Sequence, residues 1–204
     1  MPASPIDDAL RQGSAQPWRE RMPLPAREAM TDDQRAAAQA LTDGPRKGVY
    51  GPFLPLLRSP QLLDRVARVG EHLRFGGVLE PRVRELATCI AARHVGNQFE
   101  WHMHAPLAVQ AGVDPLAIDA LRQGARPQAL AADEALVHDF ATELLHTHGC
   151  SEPTYERAVA QFGEAGVVEL TTLLGYFVMV SWLMNVAHTP AQKAGGAALP
   201  AFPL

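Results

Sequence analysis

PRVRELATCIAARHVGNQFEWHMHAPLAVQAG, residues 81–112, divides at Gly96 into two helical patterns, and that division decides the fold. Pro81 suits the first turn of a helix, where its missing N–H is not needed. Gly96 supplies a stop, and Asn97 is a plausible cap for the helix that follows and ends at Gly112. Nothing in the stretch alternates with the two-residue period of a strand.

The polar residues of the two helices are placed unevenly. At about 100° per residue, Val83, Ala87, Ile90 and His94 share one face of the first helix, while Glu85 lies with Cys89 and Ala92 on another. A carboxylate thus sits in a stripe of small residues that leaves room beside it. It is either a solvated acid paired with Arg82 or Arg84, or a functional group. In the second helix Glu100 and His104 are four apart and stack with Leu107 and Ala111, whereas His102 points about 160° away from Glu100. Pro106 has no N–H for the carbonyl of His102, which predicts a kink there. A Glu and a His on a face of Leu and Ala should be partly buried, so both could titrate near neutrality, as acid–base chemistry requires. The same spacing also fits an ordinary surface ion pair.

Working outward, caps and stops recur at short intervals. Thr31 with Gln34 is a capping box that predicts a helix from 32 to Leu41. GVYGPFLPLLRSP, residues 48–60, reads as an apolar loop because its prolines would break a ladder. Ser59 and Pro60 open a helix whose Leu62, Val66, Val69 and Leu73 form its apolar face, and Gly76-Gly77 closes it. Beyond residue 112, Asp114-Pro115 starts a helix ending near Gly124, Ala131 to Thr147 carries another, and Ser151 caps one containing Tyr155, Val159 and Phe162. From Glu164 to Ala187 a long apolar helix follows. Its segment Val167 to Ala187 carries one charge, Glu169, and is long enough to cross a bilayer. Glu169, Thr171, Thr172, Ser181 and Asn185 interrupt it and no basic cluster flanks it, so a central helix buried on all sides is expected instead. Tyr176 and Asn185 lie on opposite sides of it, so at most one faces a given cavity. His146 and His148 end a helix, where imidazoles meet the negative end of its dipole. Trp101 and Trp182 read as core or interface anchors.

The class is all-α, about eight helices in one domain. The division expected is an arm and short helix over 1–44, a domain over 45–188 and a tail over 189–204. With 47% hydrophobic and 20% charged residues the chain has a globular composition. A net charge of −4 without a basic run gives no footprint for nucleic acid or an anionic membrane. Cys89 and Cys150 form neither a CxxC pair nor a disulfide framework, and the first residues lack the pattern of a secretion signal, so a reducing cytoplasm is expected.

The order Glu85, eleven residues, Asn97-Gln98-Phe99-Glu100, three residues, His104, Ala105-Pro106-Leu107-Ala108 and Ala111-Gly112 resembles the carboxymuconolactone decarboxylase and alkylhydroperoxidase D superfamily over roughly residues 45–188. The resemblance implies an alkylhydroperoxidase D-like helical bundle with a helical-hairpin site, assembled as a trimer or hexamer with the pocket near subunit contacts. In the peroxidase branch a CxxC pair stands where this chain has Asn97 and Glu100. Neither residue can form a disulfide, and Cys89 and Cys150 do not restore the pair. The decarboxylase branch keeps the histidine and an acid, which implies proton transfer or decarboxylation on a small carboxylic acid or lactone. The candidate catalytic residues are Glu85, Glu100 and His104, with Glu100 orienting His104 and Glu85 positioning water or substrate; Asn97 and Trp101 are candidate substrate contacts. No cofactor and no metal ion are expected, although Glu85, Glu100, His102 and His104 are types that could ligate one. Two alternatives stand beside this reading: a peroxidase-related oxidoreductase of other chemistry, and a non-catalytic binding or assembly module.

Overall fold

The computed structural model describes residues 19–191 and 197–200. Within them lie eight α-helices and no strand: α1 (Asp32–Asp43), α2 (Phe53–Leu56), α3 (Pro60–Glu71), α4 (Pro81–His94), α5 (Gln98–Gln110), α6 (Pro115–Arg122), α7 (Ala132–Thr147) and α8 (Glu152–Ala187). A 3-10 turn, Arg27–Ala29, precedes α1, and a π turn, His72–Gly76, extends α3. Much of the expected N-terminal arm lies outside the described residues.

The helix buried on all sides is α4, not α8. Ten of its fourteen residues are buried, and its neighbours are α5, α6, α7 and α8. Alanines at 87, 91 and 92 together with Cys89, all without exposure, allow these helices to approach it closely. One face of α8 is exposed instead: Val168, Thr171, Thr172, Gly175, Met179, Trp182 and Val186. These residues are uncharged, so the sequence alone did not separate this face from the buried one. The helix also breaks once, at Gly163 (φ 70°, ψ 169°), a conformation that favours glycine, which matches the division expected between Phe162 and Glu164.

Two further expectations are corrected. The stretch after Gly51 is not all loop, since Phe53–Leu56 forms a helical turn. Pro52 and Pro55 fall in its cap and first turn, where a helix has no use for their N–H groups, and Phe53, Leu56 and Leu57 enter the core. In α3, Val66 and Leu73 are buried as expected but Leu62 and Val69 are exposed; the helix turns Leu63, Ala67 and Gly70 inward instead. The small residues set the packing face because neighbours lie close above them.

Local signals placed the other helices well. Thr31 and Gln34 form the capping box of α1. Gly96 takes a left-handed conformation (φ 65°) and Asn97 caps α5. Pro106 sits within α5, which continues through it from Gln98 to Gln110. The described part of the C-terminal tail lies on its own chain: Leu199 is buried, its N–H donates to Gln98 Oε1 and its carbonyl accepts from Gln98 Nε2.

Candidate active site

The α4–α5 hairpin brings Glu85, Glu100 and His104 together. Three side chains that are nearly inaccessible meet there: His104 Nδ1 lies 2.6 Å from Glu85 Oε2, and His104 Nε2 lies 3.3 Å from Glu100 Oε2. With a carboxylate at each ring nitrogen, the imidazolium form satisfies both, whereas a neutral ring would leave one acid without a donor. Phe177 of α8 closes one side edge-on, its ring centroid 4.9 Å from that of His104. Arg84 Nε is 3.4 Å from the other oxygen of Glu85.

The electrostatics follow from this geometry. Burial is the largest single influence on His104 and disfavours its charge, but hydrogen bonds to Glu100 and Glu85, with their charges, together outweigh it and raise the pKa above the ordinary histidine value. For Glu85, burial alone would raise the pKa; the His104 hydrogen bond and charge, then Arg84 and Arg74, together bring it below the ordinary carboxylate value. Both shifts favour the pair in the form of an imidazolium and a carboxylate.

Glu85 stands behind the ring, and Glu100 and His104 line a hollow of about 30 Å³. That volume holds about one or two waters. The opposite wall comes from sequence far away: Arg46, Arg74, Tyr176 and Phe177. Arg46 is fixed by Nη2 donating to the Ala67 carbonyl at 3.1 Å and by the Phe53 ring, 4.4 Å from its guanidinium carbon. Burial pushes the Tyr176 hydroxyl up to about 12, the charge of Glu100 adding to the effect and Arg46 opposing it. Tyr176 is therefore a neutral hydroxyl facing the hollow. Arg74 rides on the π turn, which Glu169 holds by accepting from the Val78 N–H at 2.7 Å and meeting His72 Nε2 at 3.3 Å. None of these four was named as a site residue. The one available signal was a polar Tyr176 in an apolar helix; Asn185, opposite it, indeed serves elsewhere.

Asn97 and Trp101 do not reach the hollow. Asn97 is inaccessible: Oδ1 accepts the Glu100 N–H at 2.9 Å, and Nδ2 donates to Ser181 O at 3.2 Å and Asn185 Oδ1 at 2.8 Å. It positions the start of α5 against α8. Trp101 points to the other side of α5, where its Nε1–H donates to Ala197 O at 3.1 Å. It lines a separate cavity with His102, which binds the Gln98 carbonyl through Nδ1 at 2.8 Å. The side-chain sizes and the cap were legible; which side of α5 faces α4 was not.

Among the described residues no three His, Cys, Asp or Glu side chains are grouped to hold a metal ion. Cys89 is inaccessible, and burial, aided by the charge of Glu85, raises its thiol pKa well above the ordinary value. A larger cavity of about 600 Å³ lies between α4, α6 and α7, lined by His94, His138 and His146 among others. His146 Nδ1 there is 2.7 Å from the Thr142 carbonyl, which leaves it tied to its own last turn. Size and chemistry thus point to different places, and the coupled ionisable groups identify the hollow at His104 as the candidate.

Residues 60–138 match the sequence pattern of the Carboxymuconolactone decarboxylase family, a segment that contains Glu85, Glu100 and His104. No curated protein matches the chain. Among solved structures, an uncharacterized peroxidase-related protein from Ralstonia eutropha JMP134, described as an alkylhydroperoxidase AhpD core, is 17% identical with a TM-score of 0.63, covering 88% of this chain and 95% of that one. Another uncharacterized peroxidase-related protein, from Silicibacter sp. TM1040, is 14% identical with a TM-score of 0.69 over 88% and 96% of the two chains. A cysteine-to-alanine variant of the debrominase Bmp8, solved with 2,3,4-tribromopyrrole, is 9% identical with a TM-score of 0.62 over 90% and 94%. At these identities the likeness is one of fold. The all-α, alkylhydroperoxidase D-like architecture expected from the sequence is therefore the one found.

Proposed function

We propose that this chain, with its carboxymuconolactone decarboxylase-family segment and alkylhydroperoxidase D-like fold, is an acid–base enzyme that transfers a proton to carbon, or decarboxylates, a small carboxylic acid or lactone in a reducing cytoplasm. The observation that carries the reading is His104 held between Glu85 and Glu100 at the edge of a hollow. In a decarboxylation the bond to the carboxylate carbon breaks, CO₂ leaves, and the electron pair stays on the substrate as an enolate. Protonated His104 donates from Nε2 to that carbon and recovers its proton from water. The geometry supports a division of labour opposite to the one expected from sequence: Glu85 orients the ring from behind, and Glu100 faces the hollow, which must widen beyond its one or two water volumes to admit a substrate. Arg46, Arg74 and the Tyr176 hydroxyl supply positive charge and a donor for an anionic group or the developing enolate.

Incubating the purified chain with a panel of small carboxylated lactones in D₂O tests this by CO₂ release and carbon-bound deuterium. Turnover that disappears in His104→Gln supports the reading. Absence of both products for the whole panel, or their persistence in that variant, removes it. Two other readings are separated by the same material. The small volume of the hollow favours a non-catalytic module, which would give no product from any member of the panel. A thiol-dependent peroxidase is opposed by the burial and raised pKa of Cys89; peroxide reduction that survives replacement of both Cys89 and Cys150 by Ser would exclude a thiol route altogether.

A further inference from the structure

We propose that the cavity between α5 and α6 is a second small-molecule site, separate from the hollow at His104, that takes a neutral ring compound carrying an O–H or N–H donor, a phenol in the simplest case. The cavity measures about 460 Å³, within the roughly 300–1,000 Å³ of sites that hold small organic ligands. Ala105, Pro106, Val109 and Ile118 give it apolar walls beside the Trp101 ring, and Ala197 of the tail closes one side. That side is fastened: the Trp101 Nε1–H donates to the Ala197 carbonyl at 3.1 Å, Arg122 Nη1 donates to the Ala198 carbonyl at 3.4 Å, and Gln98 holds both backbone groups of Leu199. The wall is thus preformed, and it stands on the opposite side of α5 from His104.

His102 decides the chemistry. It is 5% exposed and lines the cavity. A carbonyl can only accept, so at 2.8 Å from the Gln98 carbonyl Nδ1 carries the proton, and the neutral ring is left with a lone pair on Nε2. Nε2 meets no hydrogen-bonding group among the described residues; with Nδ1 turned to its own helix, the edge of the ring that holds Nε2 is the one fronting the cavity. A buried acceptor without a donor is costly. Pro106 leaves a second acceptor at the same wall short of its donor, because it has no N–H for the carbonyl of His102 one turn before it. The donors nearby are engaged: Trp101 with Ala197, and Arg122 with Asp119 through Nε at 2.9 Å and Nη2 at 2.9 Å. Asp119 also balances the Arg122 charge, so the charges lining the cavity call for no ionised ligand. A flat apolar body with one donor matches apolar walls and a surplus of acceptors.

The test is calorimetric titration of the full chain with para-ethylphenol and with its methyl ether, which keeps the ring and lacks the donor. The phenol should bind saturably, one per chain, and the ether at least about tenfold more weakly, the cost of leaving a buried acceptor unmet. Val109 lies at the mouth of the cavity, 38% exposed. Val109→Trp fills the space from outside the core and should abolish binding while the circular dichroism stays unchanged. His102→Phe keeps a ring and removes Nε2, and should bring phenol and ether to equal affinity. No saturable binding of the phenol, or equal binding of phenol and ether by the wild type, overturns the proposal. Undiminished binding by Val109→Trp overturns it as well, because the ligand then occupies another cavity such as the hollow at His104. So does a His102→Phe chain that still prefers the phenol; the comparisons on wild type and Val109→Trp stand even where that variant fails to fold.

Discussion

Glu85 reaches across nineteen positions of sequence to place Oε2 2.6 Å from Nδ1 of His104, and both side chains are buried. Breaking such a pair leaves a charge uncompensated in the interior. His104→Gln is therefore expected to cost about 3 kcal/mol near pH 6, a typical value for removing one partner of a buried ion pair. The folded pKa of His104 lies above its unfolded value, so its contribution is complete below the unfolded pKa and disappears as pH rises through the folded one. The folded pKa of Glu85 lies below its unfolded value, so its contribution is present above the unfolded pKa and disappears as pH falls through the folded one. Urea unfolding of wild type and variant across pH should show the gap widest between these limits and narrowing on both sides.

The same pair would set the pH dependence of the proposed turnover. Turnover that needs Glu85 ionised and His104 protonated should give a bell, with its acid limb below the ordinary carboxylate range and its alkaline limb above the ordinary histidine range. In Glu85→Gln the histidine loses one of its two anionic partners, and the alkaline limb should move to lower pH. An alkaline limb that stays in place would show that Glu85 does not govern the proton donor.

Gly70 of α3 lies against the Tyr176 hydroxyl and the Arg46 guanidinium, leaving no space for a Cβ. Gly70→Ala should push both out of the wall of the hollow. Overpacking of this kind costs about 1–3 kcal/mol, whereas the loss of kcat should be larger than that loss of stability accounts for. Paired measurement of unfolding and turnover decides it; a variant that is destabilised but fully active would remove Tyr176 and Arg46 from the chemistry.

Asn97 joins the first turn of α5 to α8 through three hydrogen bonds. Asn97→Ala removes a helix cap and strands buried partners, at about 2–3 kcal/mol. Thermal unfolding should register it, and Asn97→Asp, which keeps the cap acceptor but loses the donor to Ser181 and Asn185, should fall in the same direction.

The hairpin at Gly96 was legible because its signals are local: a proline start, a glycine stop and an asparagine cap are properties of neighbours in sequence. That Glu85 and His104 belong to one site came from the family resemblance, since the helical pattern alone left Glu85 as either a solvated acid or a functional group. Arg46, Arg74 and Tyr176 were not legible, because only the packing of α3 and α8 brings them to the hollow, and nothing around Arg46 or Arg74 in the chain distinguishes them from surface arginines. Trp101 failed for a related reason. Its neighbours fixed that it would be buried, but the rotation of α5 against α4 decided which cavity it entered. The exposed side of α8 escaped because hydrophobicity reports aversion to water and says nothing about which molecule relieves it.

The arginines at the hollow and behind the His104 ring have an electrostatic consequence for the whole molecule. Arg46, Arg74, Arg84 and the His104 imidazolium outnumber Glu85 and Glu100, although the chain as a whole carries −4. At a distance a small anion meets a repulsive field; within about 8 Å of the cluster, one screening length at physiological salt, its attraction takes over. Added salt would relax both influences, so the rate of capture and the strength of retention need not respond to it alike.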